Sequence, residues 1–458
     1  MTDNVFEFVN PAAVEKPGQL PNLPEEFWDT RPELAHIRQA AQAGLRSPDL
    51  VLHAALARLA AMVDPAVQFD TGLGPGSLNY FVAAVGPSGV GKSTGARTAK
   101  ALLAAPPYLE RDAEDGKPNF LDGISIGSGE GLAEAFYGSV WRDIEGTTDR
   151  HGNPKRERFR MQVRRNVFVS VDEGEFLTKV AERSGATIGT ALRSAWPGET
   201  LGQANAAEDR TRLVRQGQYA LGLLIGFQPE TAAPLLADSA SGTVQRFAWA
   251  SATDRHGPSE RIPVPGPLSL HLADDLGNPR TGTLTSDGAI QEELWHRQAR
   301  LNRGEEVPDP LNSHEPLMRS KMAALLTILN GRNHIRCDDW ELAGTLWRIS
   351  CAVRDHLIDL AAQRQRERQQ AAEDAAVDLH ARKAAASTPE AIRAAQLRVA
   401  ATLIRHVERA GGQLTRSAAR RALAHRDRDL YDGAVAAAAE DGTLEVTEFG
   451  IRLRGRSA

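Results

Sequence analysis

The sequence predicts an α/β fold: a mostly parallel sheet with a phosphate-binding loop, then a helical lid and a C-terminal winged-helix domain. The apolar, β-favouring residues 78–85 lead into Gly86-Pro87-Ser88-Gly89-Val90-Gly91-Lys92-Ser93, and residues 94–103 have a helical pattern. Two further apolar runs, 166–171 and 219–227, end in polar side chains. Strands of a parallel sheet end in this way where they meet a ligand.

The loop has the complete Walker A form, G-x-x-x-x-G-K-S, between a strand and a helix. Its glycines allow consecutive backbone N–H groups to surround phosphates at a helix N-terminus. Lys92 is expected to reach the β- and γ-phosphates, and Ser93 to ligate Mg²⁺. The residues assigned to the nucleotide are Gly86, Pro87, Ser88, Gly89, Val90, Gly91, Lys92, Ser93 and Thr94. The motif predicts a P-loop NTPase core, of the RecA or AAA+ type, that binds ATP and Mg²⁺. A chance glycine-rich turn is the alternative, which the flanking strand and helix disfavour.

A Walker B motif is predicted where the run 166–171 ends in Asp172 and Glu173. Asp172 is expected to hold the Mg²⁺ shell, and Glu173 to polarise the attacking water. A buried strand followed by an acidic turn is the simpler alternative. Residues 121–127 are a candidate for a strand that intervenes between the two Walker motifs.

Two further side chains are candidates for catalysis. Gln228 follows a strand, so it could sense the γ-phosphate or orient the water; a turn role before Pro229 is an equal alternative. Arg246 stands among apolar residues where another short strand begins, and it is the leading candidate for an arginine finger. The other candidates for the finger are Arg183, Arg193, Arg212 and Arg215.

Together these motifs, with Ser125–Leu132 and a Gly-x-x-x-Arg-Phe element, resemble the helicase-like P-loop ATPases of plasmids, prophages and integrative elements. The resemblance covers roughly residues 21–360. It implies Mg²⁺-dependent ATP hydrolysis, a homo-oligomeric ring, and action on single-stranded or forked DNA without strong sequence preference. Related proteins are commonly fused to a primase-polymerase; here priming is expected to come from a separate partner.

Composition is that of an ordinary globular protein. The 458 residues are 41% hydrophobic and 25% charged, with two cysteines and no apolar run long enough to span a bilayer. The sequence therefore predicts a cytoplasmic protein without a disulfide framework, a structural zinc or a membrane partner.

Charge is distributed unevenly along the chain. The formal net charge is −5, whereas residues 388–458 carry +3 and the remainder −8. A second basic segment, residues 150–165, is predicted to be a loop before the Walker B strand. It could contact DNA or a neighbouring subunit, or be a solvated face.

Five regions are predicted. They are an N-terminal arm and helical lead-in (1–63), the ATPase core (64–255), an irregular segment with a helical lid (256–362), a charged helical linker (363–387) and the winged-helix-like domain (388–458). The arm is expected to extend as far as Pro24, and the lid to be helical over residues 318–360.

The C-terminal domain is predicted from three helices and a hairpin, with Thr415 as the N-cap of the second helix. Arginines are placed around the second and third helices and on the hairpin: Arg416, Arg420, Arg421, Arg426, Arg428, Arg452, Arg454 and Arg456. The alanine-rich third helix has few groups that could read bases, which favours non-specific DNA binding slightly over protein docking.

Two classes of function stay open on sequence grounds. The first is a DNA-dependent ATPase, a ring-forming replicative helicase of a mobile element. The second is a nucleotide-switched DNA-binding module, such as an initiator, a loader or a defence ATPase. A metabolic kinase is a weaker third option, since the acidic pair and the appended domain both count against it.

Overall fold

The computed structural model describes residues 19–148, 151, 153–174, 187–203, 212–237, 242–268, 282–307 and 309–455. The chain divides into two compact units, one up to Ala361 and one from Ala362 to Ala458. Each unit has its own cluster of buried apolar side chains, and no residue belongs to both clusters. Each unit therefore buries apolar surface by itself.

The first unit alternates strands and helices. Its strands are β1 (Gln68–Asp70), β2 (Pro75–Ser77), β3 (Tyr80–Val85), β4 (Phe120–Ile124), β5 (Tyr137–Thr148), β6 (Pro154–Gln162), β7 (Asn166–Val171), β8 (Leu201–Gln203), β9 (Arg212–Val214), β10 (Ala220–Phe227), β11 (Phe247–Ser251), β12 (Thr283–Ser286) and β13 (His334–Ile335). Its helices are α1 (Glu25–Asp29), α2 (Pro32–Ala43), α3 (Pro48–Met62), α4 (Lys92–Leu102), α5 (Gly129–Glu134), α6 (Ile188–Ala195), α7 (Pro229–Ala237), α8 (Gly288–Asn302), α9 (Glu315–Leu329) and the first part of α10 (Cys337–Ala386).

The main sheet has five parallel strands in the order β11-β3-β10-β7-β4. Every residue of β3 and β10 is buried, as expected for central strands covered on both faces. The strand between the two Walker strands is β10. Residues 120–124 form β4, which confirms a strand between the two Walker motifs in the sequence; in the sheet this strand lies at the edge, beside β7. Strand order depends on pairing between distant segments, which local sequence does not record.

Helix α3 covers one face of this sheet. It is apolar on almost every side, and all of its residues are buried. Ser47 caps its N-terminus by accepting a hydrogen bond from the backbone N–H of Leu50. The helix backbone approaches β10 so closely that a Cβ at Gly222 would lie 1.9 Å from the carbonyl oxygen of Ala57. Only glycine fits at this crossing.

The end of the predicted N-terminal arm is packed against the first core. Residues 1–18 lie outside the described residues, but Leu20 and Leu23 are part of the first core. The Asp49 carboxylate accepts hydrogen bonds from the Leu23 backbone N–H (2.9 Å) and from the Asn22 amide (3.4 Å). Burial raises the pKa of Asp49 to about 7. The segment before α1 is thus tied to α3, next to the sheet.

The remaining helices of the first unit pack on the same core. A second sheet, ordered β13-β12-β1-β2, lies beside α9. Helix α9 and the part of α10 up to residue 360 correspond to the predicted helical lid, and their buried side chains belong to the first core; α10 then continues without a break through the predicted linker. The segment 257–316 contains β12 and α8, which the sequence left unassigned.

The basic segment before the Walker B strand contains β6, the second strand of a β-hairpin, so its prediction as a loop was wrong. Strands β5 and β6 pair antiparallel, from Tyr137 opposite Gln162 to Thr148 opposite Pro154. Residues beyond Val140 are exposed on both faces, which removes the apolar alternation that identifies a strand. A shorter hairpin, β8–β9, precedes β10.

The second unit contains three helices and a small antiparallel sheet. These elements are α11 (Pro389–Arg409), β14 (Gln413–Thr415), α12 (Arg416–Ala422), α13 (Tyr431–Glu440), β15 (Leu444–Thr447) and β16 (Gly450–Leu453), with the sheet order β14-β16-β15. The hydroxyl of Thr415 accepts from the Ala418 N–H and so caps α12, which confirms the predicted N-cap. Residues 363–386, which form the second part of α10, are mostly exposed.

Candidate nucleotide-binding site

The carboxyl ends of β3, β7 and β10 meet at one edge of the main sheet. Backbone hydrogen bonds join them: the Gly86 N–H donates to the Phe227 carbonyl (3.1 Å), and the Gly174 N–H to the Gly226 carbonyl (2.6 Å). Strand β3 leads into the Walker A loop, β7 into Asp172 and β10 into Gln228. Parallel pairing therefore gathers motifs that lie far apart in the sequence.

A cavity of about 470 Å³ opens at this edge. It is lined by Ser88, Gly89, Gly91, Lys92, Ser93, Thr94, Arg97, Asp172, Glu173, Gly174, Gly226, Gln228 and Thr231. The phosphate loop, the acidic pair and the amide thus face one space. Of the residues assigned to the nucleotide, Gly86, Pro87 and Val90 lie in the loop but do not line this cavity.

The loop has the backbone shape that a phosphate cradle requires. Gly89 and Gly91 have φ angles of +84° and +89°, a region that side chains disfavour. A Cβ at Gly91 would also lie 2.3 Å from Nη1 of Arg46, whose guanidinium donates to the Val90 carbonyl (3.2 Å). Helix α4 starts directly after Gly91, which has no side chain to cap it, so its first N–H groups are available to an anion.

The side chain of Lys92 folds back onto the phosphate-binding loop that precedes it. Its Nζ donates to the carbonyls of Gly86 (2.7 Å) and Pro87 (2.9 Å). Partial burial lowers its pKa, while the carboxylates of Asp172 and Glu230 act in the opposite direction. The ammonium is therefore held at the loop, close to where phosphates would lie.

The two carboxylates of the Walker B motif are exposed in the cavity, opposite the Ser93 hydroxyl. Hydroxyl and carboxylate oxygens are suitable ligands for Mg²⁺, which also retains water and phosphate ligands. Among the described residues, no group of three or more His, Cys, Asp and Glu could hold a metal ion. The residues present fit Mg²⁺ bound together with a nucleotide, rather than Mg²⁺ in an all-protein cage.

Gln228 follows β10 at the middle of the sheet edge. Its carbonyl accepts from the N–H groups of Thr231 (3.0 Å) and Ala232 (3.1 Å), and its N–H donates to the Thr231 hydroxyl (3.0 Å). These backbone bonds form the turn into α7. Within the described chain its exposed side-chain amide has no hydrogen bond, so this amide takes no part in the turn.

Arg246 lies near the amino ends of the strands, on the side of the sheet away from the phosphate loop. It precedes β11, whose first residue Phe247 pairs with Phe81 near the start of β3. The phosphate loop begins five residues after Phe81, so roughly 17 Å of strand separates the two positions. Arg246 therefore does not reach the cavity of its own subunit.

The guanidinium of Arg246 has no ion pair within 4 Å among the described residues, although the carboxylate of Glu199 is close enough to act on its pKa. Its Nη1 donates to the Gly242 carbonyl (2.5 Å), and its carbon lies 5.8 Å from the centre of the Trp196 ring. Burial lowers its pKa, and the neighbouring charge of Arg193 lowers it further. The arginine is held in place by backbone and aromatic contacts.

The alternative finger residues have different surroundings. Arg193 donates to the hydroxyls of Thr243 (3.2 Å) and Thr190 (3.0 Å), close to Arg246. Arg212 pairs with Glu134, and Arg215 is exposed. Arg183 lies outside the described residues. The structure thus brings Arg193 and Arg246 together, away from the phosphate loop.

Sequence reasoning missed Arg46, Arg97 and Thr231. Arg46 contacts the phosphate loop from a turn between α2 and α3, and the other two line the cavity. Arg46 precedes the loop by about forty residues, and no local pattern marks it.

Several arginines of the second unit are paired within that unit. Arg416 bonds to Asp432 (2.6 Å), and Arg452 to Glu445 (2.7 Å). Arg420 and Arg426 each lie 4.0 Å from an aspartate, whereas Arg421 and Arg428 donate to backbone carbonyls. Arg454 has no ion pair within the described chain, and Arg456 lies outside it. Fewer guanidinium groups are therefore free for phosphates than the sequence suggested.

Neither a family model nor a curated protein sequence matches the chain at a significant level. Among solved structures, the chain is similar to a full-length MCM homologue from Methanopyrus kandleri, with 14% sequence identity and a TM-score of 0.36. The match covers 73% of this chain and 64% of that one, so it spans less than two thirds of the archaeal protein. At this identity and TM-score the similarity assigns no function.

No helix in the described part of the chain is both long enough and apolar enough to cross a membrane.

Proposed function

We propose that this chain is a Mg²⁺-dependent ATPase that acts on DNA. One observation carries the proposal: the Walker A loop, Asp172, Glu173 and Gln228 line a single cavity at the carboxyl edge of a parallel sheet. That edge is where open α/β sheets bind ligands. A loop with two left-handed glycines and a lysine above it fits the phosphates of a nucleotide.

Each side chain has a role that its position supports. The loop N–H groups and Lys92 bind the β- and γ-phosphates. Ser93 and Asp172 would hold Mg²⁺, which neutralises charge on the phosphate oxygens when bound. Glu173 accepts a proton from the attacking water, and the free amide of Gln228 orients that water or contacts the γ-phosphate.

Assembly into a ring is the finer part of the proposal. Arg246 does not reach its own cavity, and its direct contacts are a backbone carbonyl and the Trp196 ring rather than an ion pair. A guanidinium in that position could stabilise the γ-phosphate only in the site of another subunit. The second unit, with three helices and a three-stranded sheet, supports a winged-helix module that binds DNA through phosphates.

Glu173→Gln provides the test of the chemistry. This variant is expected to retain ATP and Mg²⁺ binding while turnover falls by about 10²–10⁴-fold, since the glutamine is no longer a base. Lys92→Ala is expected to weaken ATP binding itself. Equilibrium nucleotide binding and phosphate release should be measured on both variants; near wild-type hydrolysis by Glu173→Gln would remove Glu173 from the proposed role.

A nucleotide-switched DNA-binding module, such as an initiator, a loader or a defence ATPase, has the same cavity. The exposed hairpin β5–β6 favours a motor over such a switch, because a motor requires an element that contacts the strand. Strand separation on a forked duplex, with ATP and with Glu173→Gln as control, distinguishes the two functions. Action in the replication of a mobile element, beside a separate primase-polymerase, is the setting that the family resemblance implies.

A further inference from the structure

We propose that the hairpin β5–β6 binds single-stranded nucleic acid, with a base stacked on Trp141 and the adjacent phosphate on Arg158. This inference deepens the proposed action on DNA and rests on it. It assigns a ligand class and two contact residues to an element outside the nucleotide cavity.

Trp141 and Arg158 are partners across the hairpin and project from the same face. On that face they lie between the pairs Ser139–Arg160 and Asp143–Arg156. The indole is 58% exposed, which leaves one of the largest apolar side chains of the protein without packing. The hairpin is anchored from the other face, where Val140 is buried.

Arg158 lacks the acidic partner that each of the two neighbouring arginines on this face has. Arg156 pairs with Asp143 (2.9 Å), and Arg160 pairs with Glu134. Among the described residues, Arg158 has no ion pair or hydrogen bond. An exposed indole thus stands opposite an uncompensated guanidinium, a combination that suits a base next to a phosphate.

The same geometry favours a single strand over a duplex and over a protein partner. In a duplex the base faces are already stacked on one another, so the indole would find a free face only at an end. A protein partner would need a carboxylate for Arg158 and a pocket for the indole. Among the described residues Arg158 has no carboxylate partner, so a phosphate would supply the negative charge that this guanidinium lacks.

The test measures binding of the full-length protein to a labelled oligothymidylate and to an oligomer of the same length that has no bases. Trp141→Ala is expected to weaken binding to the thymidylate by roughly five- to a hundred-fold, the range typical of lost base stacking. On the abasic oligomer it is expected to bind like the wild type. Trp141→Phe, which retains a ring, should keep most of the affinity.

Trp295→Ala is the matched control, because Trp295 is also exposed (54%) but lies on α8. It is expected to change neither affinity. Arg158→Gln should lower the slope of log K against log salt by about 0.7, whereas Trp141→Ala should leave that slope unchanged. Thermal unfolding of each variant confirms that the fold is retained.

Equal affinity of wild type and Trp141→Ala for the thymidylate would overturn the proposal, as would an equal loss on the abasic oligomer. If Trp141→Ala instead shifts the sedimentation coefficient, with no change in DNA affinity, the face is a subunit contact and the proposal is wrong. ATP hydrolysis by the wild type, measured with and without DNA, reports separately on the ATPase. Its absence in both conditions would remove the proposed function, while the base-dependent binding contrast would still be measurable.

Discussion

At the scale of single residues, the candidate site depends on where side chains are absent as much as on where they are present. Gly91 has a left-handed φ that other residues adopt only with strain, and a Cβ there would have to displace the guanidinium of Arg46, so two separate effects disfavour any other residue. Gly89 has a similar φ but open space beside it. Both constraints on Gly91 were invisible in the sequence, although the motif itself predicted a glycine.

Gly91→Ala is expected to weaken ATP binding, because an alanine there is strained by about 1–2 kcal/mol and displaces Arg46 from the loop. Gly304→Ala is the matched control: its φ is +70°, nothing lies within 4 Å, and it is far from the phosphate loop in sequence. Calorimetric titration with ATP should show the loss only in Gly91→Ala. Adding Arg46→Ala should restore part of the affinity; a complete absence of rescue would contradict the steric part of this explanation.

At the scale of elements, the position of the Walker loop is fixed by the contact between α3 and the strands beneath it. The helix lies on β3, β7 and β10, the three strands whose ends form the cavity. Its backbone rests on Gly222 of β10. A change in that spacing would therefore move the middle strand of the site.

Gly222→Ala is expected to destabilise the first unit by about 1–3 kcal/mol, since its Cβ would meet a helix carbonyl that has no flexible side chain to yield. Gly127→Ala serves as the control, because a Cβ there meets nothing within 4 Å and its φ is not left-handed. Thermal unfolding should separate the two variants. Equal thermal unfolding midpoints for the two variants would show that α3 can move away from residue 222 without loss of stability.

Elements with strong local signals were predictable from the sequence. The runs that became β3, β7 and β10 are apolar and end in motif residues, so both the strands and their functional ends could be recognised. The hairpin β5–β6 was missed because both of its faces are exposed and charged, which leaves no period to detect. The place of β10 between β3 and β7, and the distance of Arg246 from the loop, depend on pairing between strands that lie far apart in the sequence.

At the scale of the whole molecule, two independent cores allow the two units to be altered separately. The second core is built from residues 399–451 and shares no member with the first. The nucleotide cavity belongs to the first unit alone. ATP binding and the contribution of the C-terminal unit to DNA binding are therefore separable experimentally.

Deleting residues 387–458 is expected to weaken DNA binding and to lower its salt dependence by about 0.7–0.9 per lost phosphate contact. ATP binding should persist, since the first core is untouched. Because Arg416 and Arg452 are paired with acids of their own unit, the change in slope should be smaller than the arginine count suggests. A salt slope identical to that of the intact protein would indicate that this unit docks on protein instead.

Mixing inactive variants tests the ring. Arg246→Ala retains an intact Walker site and Lys92→Ala retains the arginine, so each is expected to be nearly inactive alone, with losses on the order of 10³-fold for the arginine. Combined, they should recover part of the ATPase activity in mixed assemblies. No recovery, or specific activity that stays constant on dilution to monomers, would exclude an arginine acting between subunits.

The bonds of Lys92 to the carbonyls of Gly86 and Pro87 make this lysine an internal competitor of the nucleotide. To bind the ammonium, an anion must replace these two hydrogen bonds with a more favourable interaction. A triphosphate can do so with several oxygens at once, whereas a small monovalent anion offers one weak contact. The loop therefore favours ligands with several charged oxygens over small monovalent anions.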